Sequence, residues 1–189
     1  HNAECFYGAA RCKEQLNDTT AYIALLDSAV ATFSQPYLKE AAPYIYARGQ
    51  ALAENGQYRL AVNDFNEYEN LMISQINSEF YYIRSQVEVK GRLFQQALND
   101  LDKAIDKDPS VLLYRSEKAS LQIRVKLIDE AIETASECIR LFPDSSDGYL
   151  FLGLAQCLNN NKVQGVGNLL KAKDLGDAQA DTLIEKYGK

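Results

Sequence analysis

The sequence predicts an all-α fold, an α-solenoid of antiparallel helix hairpins stacked in series and finished by a C-terminal capping helix. Three observations carry this. The chain resembles itself at a spacing of 34 residues, since Ala97 and Ala131, Leu101 and Ala135, Ala104 and Cys138, and Pro109 and Pro143 form four pairs in one register. Small residues recur where the two helices of a hairpin must cross, at Gly49, Ser85, Ala119 and Gly153 on first helices and at Ala61, Ala97 and Ala131 on second helices. Only 4 prolines and 10 glycines interrupt 189 residues, which leaves room for long helices.

The elements follow in order along one array covering residues 1–189. A degenerate unit at about 2–36 has Gly8, Ala21, Leu25 and Ser28 in the small or apolar roles. Four clearer units occupy about 42–77, 78–109, 112–143 and 146–176. Tyr58, Phe94 and Ile128 recur just after the turn and plug the gap between helices, while Pro109 and Pro143 end second helices because proline cannot continue the hydrogen-bond ladder. The frame extends back to Ala61, Phe65 and Tyr68 and forward to Gly165, Leu169 and Ala172. Gly176 ends the last hairpin and Asp177 caps a final helix to about Tyr187, whose Ala180, Leu183, Ile184 and Tyr187 share one face.

The stretch from Ala47 to Leu52, followed by Gly56, Gln57, Tyr58, Ala61 and Phe65, resembles the tetratricopeptide repeat (TPR) family, and the likeness covers nearly the whole chain. Departures are the absence of tryptophan, Gly91 one place off the turn glycine seen at Gly56, and Lys162 in place of the plug. The resemblance implies a right-handed solenoid that binds a protein or peptide in a concave groove lined by first helices. Carried over by register, the groove residues are Tyr46 and Gln50, Tyr82 and Gln86, Ser116 and Ser120, and Leu150 and Leu154. The paired Tyr46–Gln50 and Tyr82–Gln86 suit an extended peptide, or else the tyrosines only fill space between units. Co-chaperone members of the family clamp the carboxylate tails of heat-shock chaperones; the matching places hold Tyr46, Gln50, Ile83, Leu113 and Glu117, so that partner is not expected. The C-terminal stretch is similar to caps of bacterial members.

A second recurrence is basic. Lys90 and Arg92 are matched 34 residues on by Arg124 and Lys126, a rim that could attract an acidic segment. Against this, each pair sits near a first-helix C-terminus, where cations complement the helix dipole, and this reading is preferred. The apolar run from Tyr149 to Leu154 is most simply a covered helix, with exposed Leu150 and Leu154 as the alternative.

Composition narrows the function. A net charge of −6 disfavours nucleic acid as a partner. No run approaches the roughly 20 apolar residues of a membrane span. Cys5 and Cys12 lie seven apart on one expected helix, too far to bridge, and no Cys-x-x-Cys pair supports a metal site. The one histidine is His1, at an expected frayed end, so neither catalysis nor a cofactor is expected. A start at His1 in helical pattern suggests a trimmed or processed chain, which leaves compartment unread. Two other functions stay open: a module that packs on another domain or its own copy, and a carbohydrate or small-ligand array.

Overall fold

The computed structural model describes residues 2–34 and 38–188, and every regular element among them is helical. His1 and residues 35–36 of the first expected unit lie outside them. The helices fall into two compact units, His1–Leu93 and Phe94–Lys189.

The first unit contains α1 (Asn2–Gln15), α2 (Thr19–Val30), α3 (Leu38–Glu54), α4 (Tyr58–Met72), a 3-10 turn (Ile73–Gln75) and α5 (Ser78–Lys90). Side chains start two of these helices: Asp18 accepts the Ala21 N–H before α2, and Asn77 accepts the Phe80 N–H before α5. α3 and α4 cross at Gly49, where a Cβ would stand 2.9 Å from Phe65 Cε1. Ala61 and Phe65 are sealed at that crossing. Arg48 donates twice to Asp64, at 2.7 and 2.8 Å, and once to Asp27 at 3.0 Å, so one guanidinium ties α3 to both α4 and α2. The bond to Asp64 holds its pKa above the usual arginine value.

The second unit contains α6 (Phe94–Lys107), α7 (Leu112–Arg124), α8 (Ile128–Leu141), α9 (Ser146–Leu158), α10 (Lys162–Asp174) and α11 (Ala180–Tyr187). α6 buries Ala97, Leu98, Leu101 and Ala104, one stripe at helical spacing. Ala119 and Ala135 meet Leu152 in a small core. α11 opens under Asp177, whose Oδ1 accepts the Gln179 and Ala180 N–H groups at 2.8 and 3.2 Å. Its Ala180, Leu183, Ile184 and Tyr187 pack on Leu150, Cys157, Leu169 and Ala172. Cys138 and Cys157 are buried free thiols, and burial pushes Cys138 up to about 11.

Five hairpin turns place one residue in the left-handed region: Asn17 (φ 55°), Gly56 (75°), Arg92 (60°), Lys126 (66°) and Asn160 (61°). Arg92, and not Gly91, thus takes the place of Gly56, so Gly91 lies one residue before the positive-φ position. Gly91 has an ordinary φ of −75° and is small for another reason, because a Cβ there would stand 3.0 Å from Tyr58 Cβ. Among the described residues no helix is long and apolar enough to cross a membrane.

Candidate functional site

In the first unit, Tyr46 and Gln50 stand one helical turn apart on α3 and open onto a cleft of about 420 Å³. Tyr68 of α4, residues 75–77, and Glu79, Phe80 and Ile83 of α5 complete its lining. The walls are aromatic. The ring centroids of Tyr46 and Tyr68 are 4.9 Å apart, those of Tyr68 and Phe80 5.5 Å, and those of Tyr46 and Phe65 5.6 Å, within the range of favourable ring pairs. Burial raises the Tyr46 pKa, and Tyr68 and Glu79 add to the effect, so the phenol stays protonated and able to donate. Gln50, Gln75 and Asn77 add amides, and Glu79 is the one charged side chain in the lining.

An ion-pair network sets the α5 wall against α4. Arg84 is 3% exposed; its Nη1 donates to Glu69 at 2.7 Å and to Asn66 at 2.9 Å. The Tyr81 hydroxyl donates to the other Glu69 oxygen at 2.7 Å. The guanidinium carbon lies 5.1 Å from the Phe80 ring centroid and 5.5 Å from that of Tyr81, so the same cation anchors Phe80 from behind.

The other expected groove residues fare differently. Tyr82 and Gln86 are half-buried on α5 and do not line this cleft. Ser116 and Leu150 are corrected: neither offers groove surface. Ser116 is buried and its hydroxyl donates to Asp147 at 2.7 Å, joining α7 to α9. Leu150 is 4% exposed, in the core beneath α11. Ser120 is exposed and Leu154 half-buried. Of the basic residues, Lys90 and Arg92 line a second cleft in the first unit, with Arg59. In the second unit Arg124 stacks on Phe94, 4.6 Å from the ring centroid, while Lys126 is exposed at its turn.

Tyr68, Phe80 and Glu79 were absent from the groove set that register assigned. Tyr68 stood in the repeat frame as a second-helix residue, and no spacing rule marks it as facing outward as well. Arg59 carried no signal, because it has no basic counterpart in the other units.

No family model matches the chain. The rat (Rattus norvegicus) mitochondrial import receptor subunit TOM70 is 25% identical over 166 residues, which is 83% of this chain and 27% of the receptor. The chain thus spans about a quarter of the length of the curated relatives it matches. Among solved structures, YrrB, described as a TPR protein with an unusual peptide-binding site, superposes with a TM-score of 0.73 at 19% identity, over 96% of this chain and 90% of YrrB. MamA superposes with a TM-score of 0.74 at 17% identity, over 95% and 94%. The chain has the tetratricopeptide-repeat fold.

Proposed function

We propose that this chain is a protein-interaction scaffold and that the Tyr46–Gln50 cleft grips an extended peptide segment of its partner. The carrying observation is the cleft itself: three aromatic rings for apolar contact beside three amides able to bond peptide N–H and C=O groups. Its single charge is a carboxylate, so the cleft suits neutral or basic segments and repels acidic ones. The peptide site named for YrrB and the receptor role named for TOM70 fit this class of function. The test is to select binders from a random peptide library and measure them by fluorescence anisotropy against Tyr46→Ala. Buried tyrosines dominate such contacts, so the variant should bind about tenfold more weakly or worse. An unchanged affinity, or a library that yields no binder, defeats this reading.

Self-association is a second reading, favoured by Val163 at 88% and Leu170 at 47% exposure on α10. It requires a sedimentation coefficient that rises with concentration and stops rising in Val163→Glu. A concentration-independent monomer removes it.

A further inference from the structure

We propose that the cleft between the α3–α4 turn and the end of α5 is a second docking site, built for an acidic peptide segment whose carboxylates flank an apolar side chain. The cleft holds about 400 Å³, with residues 56–60 on one side and Lys90, Gly91 and Arg92 on the other. It shares no lining residue with the Tyr46 cleft and does not depend on that reading.

Three cations converge here: Arg59, Lys90 and Arg92. No acidic side chain is in the lining, and among the described residues none of the three has an ion-pair partner, in a chain whose net charge is −6. The helix dipole explains Lys90, which closes α5 where a cation is favoured. It favours a cation at Arg92 as well, just past the same helix end, but it does not explain Arg59. Arg59 sits in the first turn of α4, where the open N–H groups favour an anion. Arg92 holds φ at 60°, a conformation that disfavours a residue with a Cβ, where the equivalent turns use Asn17, Gly56, Lys126 and Asn160. Arg59 thus stands where the helix start prefers an anion, and it lines one cleft with Lys90 and Arg92. A bound carboxylate neutralises them together.

The rest of the lining selects a peptide. Leu60 is 51% exposed and Tyr58 half-buried, an apolar surface that an aliphatic side chain between two carboxylates would cover. A long phosphate polymer would meet the acidic remainder of the chain.

The experiment measures anisotropy of a fluorescein-labelled Glu-Asp-Leu-Asp-Glu peptide and its Gln-Asn-Leu-Asn-Gln counterpart with the full chain at low salt. The acidic peptide should bind, the neutral one should not, and added sodium chloride should weaken binding. Arg59→Gln and Arg92→Gly should each weaken it by about fivefold or more, while Tyr46→Ala leaves it unchanged. Arg92→Gly relieves the positive φ and should melt no lower than the parent chain, so its loss of binding cannot come from unfolding. Equal binding of the two peptides, no binding at all, or full affinity in both variants overturns the proposal. So does a short oligonucleotide that binds more tightly than the acidic peptide.

Discussion

Glu69→Ala should destabilise the first unit by about 3 kcal/mol, the cost typical of removing one partner from a buried ion pair. The expected fall in melting temperature is roughly 6–12 °C. The substitution takes a carboxylate from Arg84, which is 3% exposed, and removes the 2.7 Å hydrogen bond that the Tyr81 hydroxyl donates to Glu69. The guanidinium, held beside Phe80, Tyr81 and Asn66, then loses its 2.7 Å ion pair with Glu69. The control is Glu69→Leu/Arg84→Met, which removes both charges and fills the volume. It should lie within about 1.5 kcal/mol of the parent, because two apolar side chains carry no desolvation penalty. Urea unfolding checks both. A Glu69→Ala loss below about 1 kcal/mol, or a double variant no better than the single, shows that the pair contributes little. Because Arg84 also backs Phe80, the same variant should weaken peptide binding at the Tyr46 cleft even at temperatures where the chain is folded.

The hairpins were legible because their constraint is local. Two helices joined by a short turn can approach only through small side chains, so Ala61, Ala97 and Ala131 announce the crossings at a fixed spacing, and the structure seals all three. The turn conformation was less legible. Glycine and asparagine are the residues that most often adopt a positive φ, so Gly56 was readable, whereas Arg92 and Lys126 hold the same conformation without a sequence mark. Gly91 lies one place off that position, and its smallness answers to Tyr58 across the unit instead of to its own turn.

The sites were legible in part for a related reason. Register identifies equivalent positions on first helices, but whether a position stays open depends on what the next helix brings. Asp147 arrives to bond Ser116, and α11 arrives to cover Leu150, and neither event is encoded at the covered residue. Tyr46 and Gln50 stay open to a cleft because residues 73–77 carry the chain between α4 and α5 and leave space there. That space is a property of three segments at once. No periodicity within one helix reports it.

Gly165 offers the sharpest separation of packing from intrinsic helix preference, since α10 contains a second glycine in a different setting. Gly165 faces α9 at its closest approach: a Cβ would stand 2.7 Å from the Gly153 carbonyl oxygen and 2.8 Å from the Cys157 amide nitrogen. These are backbone atoms and cannot swing aside, so the helices would have to separate. Alanine gains about 1 kcal/mol of helix propensity over glycine. Forcing apart a packed crossing outweighs it, and Gly165→Ala should lose about 2 kcal/mol net, with a melting temperature lower by roughly 4–8 °C. Gly167 lies two residues on, exposed, with no atom within 4 Å of the place its Cβ would take. Gly167→Ala has only the propensity to respond to and should gain about 1 kcal/mol. Opposite signs from one substitution on one helix are the expected result, read by urea unfolding of the two variants. Equal signs would mean that the α9–α10 crossing yields without strain and that its glycines are not what brings the helices together.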